Sequence, residues 1–123
     1  MILLVEDDVV TRYAFARLLR VAGHEVVEAA DGNEALTLLD RHPIELVVTD
    51  LQMPALDGFS LISRVRNRWP TMPIILISGY LSQGAGEVIL GESGWDAQFF
   101  QKPVTPSALV AAIKNLLPSS TAH

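Results

Sequence analysis

The sequence predicts an α/β fold, a doubly wound five-stranded parallel sheet with helices on both faces. Two observations carry this. Five short apolar runs recur along the chain: Ile2–Val5, His24–Ala29, Leu46–Thr49, Ile74–Ile77 and Phe99–Phe100. Segments with the apolar spacing of helices separate them. With 123 residues, 50% of them hydrophobic, the chain has the size and apolar content of one domain with its own core. The expected boundaries are residues 1–118 for the domain and 119–123 for a flexible tail.

The elements follow in order. Ile2–Val5 is the first strand. Phe15, Leu18, Leu19 and Ala22 then follow the i, i+3, i+4, i+7 rule, and Gly23 supplies a C-terminal stop. After the second strand, the pair Asp31-Gly32 reads as a turn that introduces a short helix over Asn33–Arg41. The third and fourth runs are continuous and rich in β-branched residues, as strands covered on both faces are. Between them Gly58, Leu61, Ile62 and Val65 repeat the helical pattern, ending near Pro70. The segment Ser82–Gly94 is assigned to a helix in spite of Gly84, Gly86, Gly91 and Gly94; each interior glycine costs about 1 kcal/mol there. The closing helix carries Leu109, Ala112, Ile113 and Leu116, with Thr105 as its N-cap and Pro106 at its first position.

Composition limits the function. The formal net charge is -5, and the nine Lys and Arg form no run. Phosphate neutralisation needs clustered cations, so direct nucleic-acid binding is not expected. The chain has no cysteine, which removes disulfides and thiolate metal sites. The apolar stretch at the N-terminus is far too short for a signal peptide or a membrane span. No membrane partner is expected, and a cytoplasmic location fits.

In a sheet of this kind, right-handed crossovers place every strand's C-terminal end on one edge, where the functional crevice lies. Glu6, Asp7 and Asp8 follow the first strand, Asp50 the third, Ser78 the fourth and Lys102-Pro103 the fifth. Each has an ordinary reading by itself. The three acids can cap a helix, a role that suits Asp8. Asp50 can begin an Asx turn. Ser78 can be a turn serine before Gly79, and Lys102 a surface lysine.

Together they say more. The first and third strands are neighbours in a doubly wound sheet, so Glu6, Asp7 and Asp50 converge. Carboxylates that close need protonation or a cation. Oxygen donors without Cys or His suit a hard cation, Mg²⁺ or Mn²⁺. Lys102 can pair with Asp50 at rest and hold a phosphoryl oxygen later, while Ser78 can donate its hydroxyl to another. Phosphoryl transfer depends mostly on positioning and charge stabilisation, and these groups supply both. The nucleophile is then the Asp50 carboxylate, forming an acyl phosphate.

At this point the chain resembles the receiver domain of two-component response regulators. The resemblance rests on Leu3-Leu4-Val5-Glu6-Asp7-Asp8, on Val47-Val48-Thr49-Asp50-Leu51-Gln52-Met53-Pro54 with Asp57-Gly58, on Ile75-Leu76-Ile77-Ser78-Gly79 and on Lys102-Pro103. It spans Ile2 to about Leu117. It implies a flavodoxin-like (βα)5 fold with strand order 2-1-3-4-5. It also implies Asp50 as phosphoacceptor, Asp7 as direct Mg²⁺ ligand, Glu6 as the second acid acting through water, and the Gln52 backbone carbonyl as a further ligand. Ser78 matches the family's Ser/Thr position and Lys102 its phosphate-binding lysine. Phe99 falls at the aromatic switch position, with core packing as its ordinary alternative. Tyr80, two residues beyond Ser78, lies where it can gate access. The implied partners are a sensor histidine kinase or histidine phosphotransfer protein, and an effector domain or protein that reads the phosphorylated state.

Two departures from the family pattern stand out. The glycine-rich stretch Gln83–Gln98 carries Trp95-Asp96-Ala97 near where the family has Gly-Ala-Asp, which puts the usual output surface in question. The second is Tyr80, which can slow or tune dephosphorylation or only cover the crevice; within the pattern, Phe99 lacks the hydroxyl that a tyrosine uses to favour an outward state.

Three other readings compete with this one. An aspartyl-nucleophile phosphohydrolase has a second acid two residues after the nucleophile, and here that residue is Gln52. A flavin-binding module needs a hydroxyl- and glycine-rich loop after the first strand, where this chain has three acids. A docking-only receiver has no need of Glu6, Asp7, Asp50, Ser78 and Lys102 together. The length leaves no room for an effector domain, so a stand-alone receiver and a domain of a hybrid kinase or larger regulator are the two settings expected.

Overall fold

The computed structural model describes residues 1–50, 58–78, 97–101 and 104–117. Its order is β1 (Ile2–Val5), α1 (Val9–Val21), β2 (Val26–Ala29), α2 (Gly32–Arg41), β3 (Leu46–Asp50), α3 (Gly58–Arg68), β4 (Ile74–Ser78), β5 (Ala97–Gln101) and α4 (Pro106–Leu116). The five strands form one sheet in the order β2-β1-β3-β4-β5, the order expected, and all four pairings are parallel. The segment Ser82–Gly94 and the 119–123 tail lie outside the described residues.

The period of two along each strand divides the core between the two faces. Leu3, Val5, Val47, Ile74 and Leu76 pack with Ala35 and Leu39 of α2 and Leu61, Ile62 and Val65 of α3. Ile2, Leu4, Leu46, Val48, Ile75 and Ile77 pack with Ala16 and Leu19 of α1 and Leu109, Ala112 and Ile113 of α4. Strands buried on both faces need apolar residues at successive positions, which accounts for the continuous runs.

The helix ends correct the sequence reading in detail. Helix α1 begins at Val9, well before the Phe15 pattern, because Asp8 caps it: its carboxylate accepts from the Thr11 amide at 2.8 Å and the Thr11 hydroxyl at 2.5 Å. The helix stops in a Schellman arrangement. The His24 amide donates to the Leu19 carbonyl and the Gly23 amide to the Arg20 carbonyl, with Gly23 at φ +100°. His24 therefore belongs to the end of α1, and β2 starts at Val26. Asp31 is the N-cap of α2, accepting from the Glu34 amide at 2.8 Å, so Asp31-Gly32 opens a helix directly where a turn was expected. Thr105 caps α4 as expected, with Pro106 in its first turn. Strand β5 is longer than Phe99–Phe100, because Gln98 and Gln101 pair with β4 as Phe99 and Phe100 do.

Candidate functional site

Parallel pairing brings the ends of β1 and β3 side by side. Val5 pairs with Thr49, so the residues that follow, Glu6 and Asp50, emerge together at the C-terminal edge. Both continue the even-numbered positions that face α1 and α4. Asp7 follows Glu6 as the chain turns toward α1. One carboxylate oxygen from each of Glu6, Asp7 and Asp50 lies within 4.8 Å of the others.

The burial of the three acids differs. Glu6 is 3% exposed and Asp50 6%, whereas Asp7 is open to solvent. Among the described residues, Glu6 is held at several points. Its amide donates to the Ala29 carbonyl at 3.0 Å, its Oε2 accepts from the Asp8 amide at 3.1 Å, and its carbonyl accepts from Arg12 Nη1 at 2.8 Å. Beside Asp50, the buried Thr49 hydroxyl donates to the Asp50 carbonyl at 2.9 Å. Asp8 turns its carboxylate to the helix cap.

Two buried carboxylates beside a third are unfavourable unless a cation or a proton joins them. The donors are oxygen only, which fits Mg²⁺ or Mn²⁺. Asp7 leaves one side of the cluster open to solvent.

The other expected site residues divide into two groups. Ser78 is the last residue of β4, paired with Gln101, and Phe99 lies in β5, paired with Leu76. Both strands end on the same edge as the acids, because the sheet is parallel throughout. Gln52, Tyr80 and Lys102 lie outside the described residues. Arg12 is not among the residues that the sequence singles out, because nothing about an arginine six positions after Glu6 marks it until α1 folds back over the end of β1.

The chain matches the response regulator receiver domain family over residues 2–114. A probable transcriptional regulator, ycf27, from Cyanophora paradoxa is 38% identical over 116 residues, covering 94% of this chain and 47% of that protein. The sensor kinase CckA of Brucella abortus is 31% identical over 118 residues, 94% of this chain and 12% of the kinase. The chain thus spans less than half the length of either relative. Among solved structures, a receiver domain protein from Clostridium thermocellum superposes with a TM-score of 0.87 at 26% identity, covering 97% of this chain and 94% of that one. The receiver domain of the hybrid histidine kinase CckA gives a TM-score of 0.78 at 36% identity over 94% of this chain and 97% of its own. With the fold, the strand order and the acids at the sheet edge in agreement, the chain belongs to the response regulator receiver domain family.

Proposed function

We propose that this receiver domain accepts a phosphoryl group on the Asp50 carboxylate from a phosphohistidine of a sensor histidine kinase or a histidine phosphotransfer protein, in a cytoplasmic two-component relay. The observation that carries this reading is the convergence of Glu6, Asp7 and Asp50 within 4.8 Å at the C-terminal edge of β1 and β3. The family match supports it.

An Asp50 carboxylate oxygen attacks phosphorus in line as the P–N bond to the donor imidazole breaks, and the imidazole nitrogen keeps the electron pair. Mg²⁺, or Mn²⁺ in its place, would be held by Glu6, Asp7, Asp50 and the Gln52 backbone carbonyl, and supplies charge neutralisation at the phosphoryl oxygens when bound. The Lys102 ammonium and the Ser78 hydroxyl hold the other phosphoryl oxygens. Phe99 reports the change to the surface read by an effector, and Tyr80 limits the approach of water. Slow hydrolysis of the acyl phosphate ends the signal, so the chain acts on itself and is no classical enzyme.

The test is the intact mass of the folded protein after incubation with Mg²⁺ and acetyl phosphate. The expected result is the gain of one phosphoryl group, absent in Asp50→Asn and absent when Mg²⁺ is chelated. A folded wild-type protein that stays unmodified with several phosphodonors overturns the reading.

A further inference from the structure

We propose that Arg12 is a positioning residue for the acids of this site, acting on the peptide unit that joins Glu6 to Asp7. The inference rests on reading Glu6, Asp7 and Asp50 as a cation site.

The β1 ladder ends at Val5 and α1 begins at Val9, so Glu6 and Asp7 sit in a short connection outside both elements. The Glu6 carbonyl and the Asp7 amide share one rigid plane. Arg12 Nη1 donates to that carbonyl at 2.8 Å, and fixing the oxygen fixes the direction in which the chain leaves toward the Asp7 Cα. Among the described residues the Asp7 carboxylate makes no hydrogen bond of its own, so its aim is set by the backbone.

The guanidinium is anchored in turn from the far side. Arg12 Nε lies 3.5 Å from Glu28 Oε1 on β2, with the Arg12 side chain only 19% exposed. The other Glu28 oxygen pairs with Arg20 Nη1 at 3.1 Å, and Arg20 Nη2 donates to the Val26 carbonyl at 2.9 Å. A planar fork with two anchored edges holds a geometry that a single ammonium cannot. Helix α1 and edge strand β2 thereby set the direction of the Glu6–Asp7 peptide, which belongs to neither.

Charge and positioning predict opposite signs. As a cation bonded to the Glu6 main chain, Arg12 opposes the charge of Mg²⁺, so removing it should tighten metal binding. As a positioning group, it holds the acids in place for the ion, so removing it should weaken binding. Titration calorimetry with Mg²⁺ on the full chain separates the two. Arg12→Gln and Arg12→Lys should each raise the Mg²⁺ Kd about tenfold, the lower range for losing a group that orients a metal ligand. Arg20→Gln, which leaves the Glu6 carbonyl bond in place, should stay within about twofold of wild type. In the metal-free protein, the backbone amide resonance of Asp7 should shift in both Arg12 variants and stay put in Arg20→Gln. Where Arg12→Gln does not fold, Arg12→Lys carries the test, because it keeps the charge and loses the fork. Unchanged or tighter Mg²⁺ binding in a folded Arg12 variant overturns the inference and leaves the cation site standing. A wild-type protein that binds no Mg²⁺ overturns the cation site and the inference with it.

Discussion

Replacing Asp7 with asparagine should stabilise the metal-free protein and remove its response to Mg²⁺. The side chain keeps its shape and loses its charge. Asp7 faces Glu6 and Asp50 with oxygens within 4.8 Å, so the substitution removes two like-charge pairs. At that separation each pair repels by about 0.9 kcal/mol in a water-like dielectric and by several times more in a drier one. Asp7 is exposed, so the water-like figure applies, giving roughly 1.7 kcal/mol for the two pairs. An acid at the N-terminal end of α1 also gains about 0.5 kcal/mol from the helix dipole, which the substitution forfeits. A net gain of about 1 kcal/mol remains, or roughly 4 °C in Tm for a domain of this size. Thermal unfolding in a chelator measures it. The gap between variant and wild type should narrow in about 1 M NaCl, where the screening length falls to about 3 Å. With Mg²⁺ at about a hundred times its Kd, the wild type gains about 2.7 kcal/mol and the order of stability reverses. An Asp7→Asn protein that is less stable in chelator and responds to Mg²⁺ as the wild type does would refute the reasoning.

Other perturbations probe the framework. Asp8→Ala removes the α1 cap made to the Thr11 amide and hydroxyl and should cost about 1 kcal/mol in urea denaturation. Gly23→Ala meets no atom within 4 Å but forces a side chain to a φ of +100°; a loss of about 1 to 2 kcal/mol is expected from strain alone. Ile75→Ala, fully buried on the face covered by α1 and α4, should cost about 2 to 5 kcal/mol by chemical denaturation.

The architecture was legible because the sheet is covered on both sides. Continuous apolar runs as short as Leu46–Val48 and Ile74–Ile77 suit strands buried on both faces, and they locate strands whose ends carry Asp50 and Ser78. The sequence pattern stops each of these strands one residue early, since a polar residue looks like the start of a loop. Yet Asp50 still pairs with Ile77, and Ser78 with Gln101. The apolar spacing does not mark the start of α1, because Val9, Val10 and Tyr13 are exposed and blur the period. The acids were found through their positions at strand ends. Arg12 was not, because a side chain that bonds a backbone carbonyl leaves no pattern in the sequence.

All strand pairs in this sheet are parallel, and that shapes how the chain can fold. No pairing can be closed by a tight turn. Ile2 meets Val26 and Leu46, so β1 joins β2 across a shorter loop than it joins β3. Closing the longer loop costs more chain entropy, and such topologies fold more slowly than local ones. The acids are divided between β1 and β3, so the longer closure is the one that assembles them. A folding intermediate containing only β1 and β2 carries two of the three carboxylates and none of their crowding with the third. A cation that needs all three therefore favours the completed sheet over its precursors.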